Sequence, residues 1–448
     1  MPDRRATVEI ALGEHGLQLR LVKGGVDYPD APVYVSFRPT EAGLPPLSSR
    51  ANVVKYAKAI TAALGRHKAV KKELEQIFCT ASPEHAELEF FITAPEGEKY
   101  RWETLLSKPD NFLALSGSCS MKRIAWASTA APALRVYAWP IQLTAFLSAS
   151  GVSAADEFRA VTDSVGEARK QGLRIDACIY LGEEALLNQA RSAIRRRKLS
   201  GVHVAPMPDT AVGIEKILKA KPPQILHCYC HGYAEAGVEL LEFASINDHD
   251  TEARAGSINF SAERLFETLR ASDTTWLTVL NSCSGAAAVP QMFSMAAGLA
   301  KSSSPVAIGM AEPLRSDDAS LFSSAFYRSA LSILANNIKS LQIGGITMIE
   351  LAPAVDEARK ALHEDGDLKS DPTDFGRWSL PVLYQREGPL MVGCAEDEAM
   401  CQRILTVSRA LRQMTARTPP EVRATVLALL DKSPAVPQAL RPDQFGVF

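Results

Sequence analysis

Two histidines and two cysteines fall within five consecutive positions, His227, Cys228, Cys230 and His231, in the stretch "ILHCYCHG". These residue types bind metals or carry nucleophilic and acid–base chemistry. Zinc sites on loops use C-x₂₋₄-C and H-x₃₋₅-H spacings, whereas a single residue separates these cysteines. The run from Gln224 to Tyr229 is apolar and aromatic and follows Pro222-Pro223, which reads as a buried strand. Strand side chains alternate between faces. His227, Tyr229 and His231 then point one way, and Cys228 and Cys230 the other. Four such ligands cannot converge on one ion, so no metal is expected here.

A second reactive group closes another apolar run. "TTWLTVLNSC" has the near-continuous hydrophobicity of a strand buried on both faces, and it ends in Asn281-Ser282-Cys283-Ser284-Gly285. Parallel sheets bind ligands beyond the carboxyl ends of their strands. If the two strands are neighbours, about 5 Å apart, His231 and Cys283 face each other across one crevice. A free thiol is only a few per cent thiolate near neutral pH. A histidine beside it takes its proton or stabilises the thiolate as imidazolium, and later protonates a leaving amine. Gly232 is expected to let the chain turn sharply at the strand end. The amides of Gly232 and Cys283 are the expected oxyanion hole. A buried cysteine is most often inert packing, and a His-Gly at a strand end is most often a turn. Their joint occurrence at two strand ends, 52 positions apart, favours the dyad.

Holding such a pair requires a parallel sheet, and the pattern supplies one. From about residue 133 strands alternate with helices: "ALRVYAWPI", a helix from Ser153 to Gln171 with a capping-box signature at Ser153 and Asp156, "LRIDACIYL", a helix from Glu183 to Lys198, "VHVAPM", and a helix from Thr210 to Lys219. The two reactive strands, a hairpin at "GVELLEFASI" between them, and "PVAIGM" follow. The alternation predicts a mostly parallel α/β sheet with helices on both faces and right-handed crossovers. "WSLPVLYQRE" is the last strand, and its Pro381 suggests a sheet edge. Residues 1–130 read as an N-terminal α/β lobe, 131–390 as the main domain and 391–448 as a helical C-terminal extension.

Composition excludes several classes. The 448 residues are 46% hydrophobic and 22% charged, with a net charge of −2, which argues against bulk nucleic-acid affinity. "RRRK" at 195–198 reads as a helix end where cations suit the dipole. No apolar run is long enough to span a membrane, and the first residues lack a signal-peptide core. The eight scattered cysteines are no secreted disulfide framework. A cytoplasmic protein with reduced thiols is expected. No phosphate-binding glycine motif or internal repeat is present, and the chemistry requires no cofactor.

The cysteine motif with a histidine about 50 residues upstream is a caspase signature, but "NSCSG" departs from the caspase pattern. It resembles instead the CHAT peptidases, a caspase-like family related to separase. "ILHCYCHG" resembles their H-x-x-x-H-G strand and "WLTVLNSCSGA" their apolar strand with N-x-C. "RWETLL", "PVAIGMAEPLRSDDASLFSSAFYRSAL", "AVDEARKAL" and "WSLPVLYQREGP" resemble, in order, the family's upstream turn, the strand, acidic loop and helix after the cysteine, and its closing helix and strand. The resemblance covers about 100–390. It implies a caspase-like fold, His231 as general base, Cys283 as nucleophile and His227 as a supporting residue. It further implies a protein substrate and a protein or nucleotide-sensing activator, in bacterial immunity or regulated cell death. The family's tryptophan before the acidic loop is absent; Glu312-Pro313 stands nearby.

In a parallel sheet "PVAIGM" lies beside the nucleophile strand, so Asp317 and Asp318 in "RSDDAS" are expected at the substrate groove. A carboxylate there favours cleavage after Arg or Lys. The plainer alternative has Ser316 or Asp317 capping the helix Ala319 to Leu334. Two other functions compete with an endopeptidase: a catalytically silent caspase-like interaction scaffold, which needs neither His231 nor Cys283, and another acyl-transfer enzyme using the same dyad.

Overall fold

Short apolar runs rich in Val, Ile and Leu alternate with amphipathic helical segments, and each run becomes a strand. The computed structural model describes residues 4–39, 43–79, 85–108, 111–126, 134–253, 255–282, 292–369, 375–413, 418–431, 437 and 440. The first strands are β1 (Arg4–Gly13), β2 (Gly16–Lys23), β3 (Val35–Ser36), β4 (Ala86–Ile92), β5 (Leu106–Lys108), β6 (Asn111–Phe112) and β7 (Cys119–Ala125). Then come β8 (Leu134–Tyr137), β9 (Ile141–Leu147), β10 (Ile175–Leu181), β11 (Val202–Pro206), β12 (Ile225–Glu235), β13 (Val238–Phe243) and β14 (Ile258–Ser261). The last are β15 (Leu277–Ser282), β16 (Val306–Met310), β17 (Ile346–Ile349), β18 (Pro381–Arg386) and β19 (Leu390–Cys394).

Among the described residues one large sheet runs β11-β10-β9-β12-β15-β16-β18-β7-β4-β1-β2-β3. The strands from β11 to β16 are mutually parallel. β18 runs antiparallel to β16 and parallel to β7, which is itself parallel to β4. Thus the sheet does not break near residue 130: the N-terminal strands extend it through the β18–β7 pairing. β8, β19 and β17 form a separate small sheet, against which the helix Glu398–Gln413 packs Met400 and Ile404.

Helices cover both faces, as the alternation predicts. Phe158, Val161 and Val165 of the helix Ala155–Lys170 and Phe322, Phe326 and Tyr327 of the helix Ser316–Ile338 share one core with Tyr229. Ile214, Leu218, Leu265 and Leu269 form the other core with Cys228 and Cys230. Each buried Val, Leu or Phe contributes about 1.5–3 kcal/mol. The division of Tyr229 from its two cysteine neighbours is the period-two alternation of the strand.

Three local expectations are corrected. β12 does not end at His231-Gly232. Among the described residues its parallel pairing runs through Cys230, and the chain continues to Glu235 in an antiparallel hairpin with β13. Gly232 lies opposite Leu241 within that ladder, so it makes no sharp turn. The turn is at Ala236-Gly237, with φ of 50° and 83°, the two left-handed positions of a type I′ hairpin. Pro381 is not on an edge: β18 lies between β16 and β7. Proline is tolerated because it is the first residue of its strand. The Ser153–Asp156 capping box is absent. The Glu183 carboxylate accepts from the Ala154 amide and the Ser153 hydroxyl instead, satisfying the helix end from outside.

Candidate active site

β12 and β15 are adjacent and parallel, with a constant offset of 52 from Ile225↔Leu277 to Cys230↔Ser282. The neighbouring strands expected for the dyad are therefore present. His231 is buried and follows the last described parallel pair of β12, Cys230↔Ser282. Cys283, the expected nucleophile and second oxyanion donor, lies outside the described residues.

The turn after β9 meets His231. Its Nε2 is 2.9 Å from the carbonyl oxygen of Ser150. A carbonyl only accepts, so this nitrogen carries the hydrogen, and in the neutral ring the lone pair is on Nδ1. Several bonds hold that turn. The Ser148 amide donates to the Tyr229 carbonyl at 2.9 Å, and the Ala244 amide donates to the Ser148 carbonyl at 3.2 Å. Gly151 supplies the φ of 68° that closes the turn. Glu242, directly opposite His231 in the hairpin, accepts from the Ser150 hydroxyl at 3.4 Å and from the Gly256 amide at 2.8 Å.

His227 is fully buried, two strand repeats before His231. Its Nε2 lies 2.8 Å from Glu157 Oε1, a close contact without hydrogen-bond geometry, and the Tyr327 hydroxyl lies 2.9 Å from its Nδ1. Burial, then the Glu157 charge, pushes the Tyr327 phenol well above its usual range, so it remains a donor. Asn281 Nδ2 donates to Glu157 Oε1 at 3.1 Å, the Ala319 carbonyl at 2.9 Å and Ser323 Oγ at 3.0 Å. The Ser323 hydroxyl donates to Glu157. Sequence reasoning expected a supporting role for His227 and did not single out the residues packed around it, Glu157, Asn281, Ser323 and Tyr327. One signal was available: Glu157 precedes Val161 and Val165 by four and eight residues, a charge on an apolar helical stripe.

On the opposite face the Cys228 thiol is pushed up to about 12 by burial, so it stays protonated at neutral pH. His227 and His231 are on one face of β12 and the cysteines on the other. Among the described residues no cluster of His, Cys, Asp and Glu could hold a metal.

Asp317 and Asp318 do not sit in a loop. They lie in the first turn of the helix Ser316–Ile338, which begins three residues earlier than expected. The Asp318 side chain is 1% exposed and 2.7 Å from Nη1 of Arg377, itself buried, with Arg315 Nε 3.2 Å away. Its charge is matched inside the fold by Arg377 and Arg315. Asp317 is 52% exposed. Its carboxylate accepts from the Asp318 amide at 3.0 Å; the N-cap is Arg315, whose side chain makes no cap. Glu312, 64% exposed and paired with Arg101, is a further carboxylate just past β16.

No protein-family model matches the chain, and no curated protein matches it. Two crystal structures of the Saccharomyces cerevisiae separase–securin complex overlap it. One gives a TM-score of 0.34 at 10% identity, covering 75% of this chain and 18% of the matched chain. The other gives 0.33 at 12% identity, covering 73% and 17%. This chain thus spans less than a fifth of the chains it overlaps, and at those TM-scores the backbones share too little to transfer a role. Among the described residues no helix is long and apolar enough to cross a membrane.

Proposed function

We propose that the protein is a cysteine peptidase of caspase-like type, with His231 as general base and Cys283 as nucleophile. The observation that carries this reading is His231 itself. It is a buried histidine one residue past the last described parallel pair of β12, with Nε2 committed to the Ser150 carbonyl, and β12 lies beside the strand that leads to Cys283. The offset of 52 that holds along β12 and β15 equals the separation of His231 from Cys283.

In this reading Nδ1 of His231 takes the thiol proton. The thiolate then adds to a peptide carbonyl, and the Gly232 and Cys283 amides hold the oxyanion. The imidazolium protonates the leaving amine as the C–N bond breaks. Water, activated by the same nitrogen, hydrolyses the thioester and restores the thiol. His227 supports the site without touching the reacting atoms. Asp317 is the proposed contact for an Arg or Lys side chain of the substrate. The protein substrate, a protein or nucleotide-sensing activator and a role in bacterial immunity or cell death rest on the motif resemblance alone, and a cytoplasmic setting rests on the scattered cysteines.

Two measurements test the reading. A thiol-directed activity probe should label Cys283 in a manner that requires His231; absence of labelling would leave an interaction scaffold. A peptide library should be cut; labelling without cleavage of any peptide would point to another acyl transfer.

A further inference from the structure

Charge is spread unevenly along the chain. Between Arg191 and Lys221 stand eight lysines and arginines against two acids, Asp209 and Glu215, a net charge of +6. The whole chain carries −2, so the remainder carries −8. Arg191, Arg195, Arg196, Arg197 and Lys198 crowd the last two turns of the helix Glu184–Arg195 and the turn after it, and all five are exposed. None of the five is in an ion pair among the described residues; the acids of adjoining elements have other partners, Glu167 with Lys170, Asp176 with Arg169, and Glu215 with Lys219 and Arg264. Cations at the carboxyl end of a helix suit its dipole, an effect confined to the last turn, which accounts for Arg195. It does not account for Arg197. The helix closes in a Schellman turn, the Lys198 amide donating to the Ala193 carbonyl at 3.0 Å and the Arg197 amide to the Ile194 carbonyl at 2.8 Å. Arg197 takes the left-handed position of that turn, with φ of 57°, where glycine is favoured because a β-carbon is strained. Arginine there lowers stability relative to glycine. What it adds is one more exposed charge in a row of four, Arg195 to Lys198.

The patch stands at the opposite end of the sheet from His231. Between parallel strands a helix starts beyond the carboxyl end of one strand and ends before the amino end of the next. The helix Glu184–Arg195 thus ends at the amino rim of β11, and Lys219 and Lys221 close the helix Ala211–Ala220 at the amino rim of β12. From Ile225 to His231, six positions on, the strand rises about 20 Å. β11 is the outermost strand on its side of the sheet among the described residues, so the patch lies at an open flank. Three kinds of polyanion can meet such a surface, and its surroundings favour one. Single-stranded nucleic acid is held by exposed aromatic rings on which bases stack, and the exposed Tyr34 and Trp126 lie far outside this segment of the chain. A longer strand or duplex running off the patch meets a protein whose remaining residues carry −8. A membrane surface requires apolar anchors beside the cations; between Arg191 and Lys221, Val212 is the one exposed large apolar side chain among the described residues. An acidic peptide is short enough to stay within the patch. Arginine engages a carboxylate with two parallel hydrogen bonds, and four of the five exposed cations at the helix end are arginines.

We infer that the exposed row from Arg191 to Lys198 is a docking surface for an acidic segment of a partner polypeptide, at the end of the sheet away from His231. The inference does not depend on the peptidase reading. Its test uses the full chain and a fluorescein-labelled oligoglutamate peptide as the probe, with binding read by anisotropy. Binding should weaken as salt is raised. Arg195→Glu, Arg196→Glu and Arg197→Glu together should weaken it by about tenfold or more. Lys55→Glu, Lys58→Glu and Lys68→Glu together make an equal change of charge on exposed side chains elsewhere and should weaken it by no more than about twofold. Arg197→Gly separates docking from a purely structural role. It should raise the denaturant midpoint, because glycine relieves the left-handed turn, and still weaken the peptide by about threefold. Unchanged affinity in Arg197→Gly, a control variant that loses as much as the patch variant, or a wild type that does not bind the peptide overturns the inference. Tighter binding of duplex DNA, or of vesicles containing phosphatidylserine, than of the peptide at the same salt also overturns it, since the surface would then belong to nucleic acid or to a membrane.

Discussion

Nε2 of His231 lies 2.9 Å from the carbonyl oxygen of Ser150. Because a carbonyl cannot donate, this contact selects one neutral tautomer and leaves Nδ1 as the basic nitrogen. Nitrogen NMR of histidine-labelled protein, assigned with His231→Gln, should show a protonated Nε2 and an unprotonated Nδ1 in the neutral ring. The opposite tautomer would remove Nδ1 as the base.

The dyad predicts a pattern of losses. His231→Ala and Cys283→Ala should each lower peptide cleavage by on the order of 1,000-fold or more, and the double variant should be little worse than either. Cys228→Ala should keep most activity, since burial holds that thiol at about 12 on the other face of the strand. Near-normal turnover by Cys283→Ala would end the assignment.

The strands and helices of the main domain were legible because their periods differ, and the two faces of "ILHCYCHG" because strand alternation admits no exception without a bulge. What sequence reasoning missed depends on partners distant in the chain. Gly232 is the exception: its partner Leu241 is only nine positions on, and the turn at Ala236-Gly237 sets it opposite Leu241 where a sharp turn at Gly232 itself was expected. Pro381 looked like an edge residue because its own strand does not reveal that β7, far upstream, supplies a second neighbour. Asp318 is buried because Arg377, 59 positions later in the sequence, meets it.

The hairpin turn offers a stability test. Ala236 holds a φ of 50°, where a β-carbon costs about 1–2 kcal/mol. Ala236→Gly should stabilise the protein by about 1 kcal/mol and Ala236→Val should destabilise it, read from denaturant midpoints. Equal midpoints for Ala and Gly would argue against the left-handed turn.

Asp356 predicts a pH dependence. Burial pushes its carboxyl up to about 6, against the lowering influence of Arg359 and Ser120. A carboxyl with a raised native pKa binds its proton more tightly folded than unfolded. Its contribution to stability is full below the unfolded value of about 3.9 and is lost as the pH rises through about 6. Asp356→Asn cannot ionise. The stability of wild type relative to this variant should therefore fall by on the order of 3 kcal/mol between about pH 4 and pH 7. A relative gain over that range would mean that the Arg359 pairing, at 3.1 Å, outweighs burial.

The two aspartates at the head of the helix Ser316–Ile338 should behave oppositely, although they are adjacent. Asp318 faces Arg377 with both side chains buried, and Arg377 also donates to Asp365 at 2.7 Å. Removing one partner of a buried pair leaves a charge without its match, at a cost of about 3–5 kcal/mol, and Asp365 keeps the figure near the lower end. Asp318→Ala should therefore lower stability by about 3 kcal/mol and leave the cleavage preference of the folded fraction unchanged. Asp317 is half exposed, so Asp317→Lys disturbs mainly the favourable placement of an anion at the helix start, about 0.3–1 kcal/mol. If its carboxylate meets a basic substrate side chain, the same change should suppress cleavage after Arg and Lys selectively. A peptide-library profile compared across the two variants separates these effects. A wild-type preference for Asp or for bulky apolar residues, or an Asp317→Lys profile identical to wild type, removes Asp317 from substrate recognition and leaves Glu312, exposed just beyond β16, as the next carboxylate to substitute.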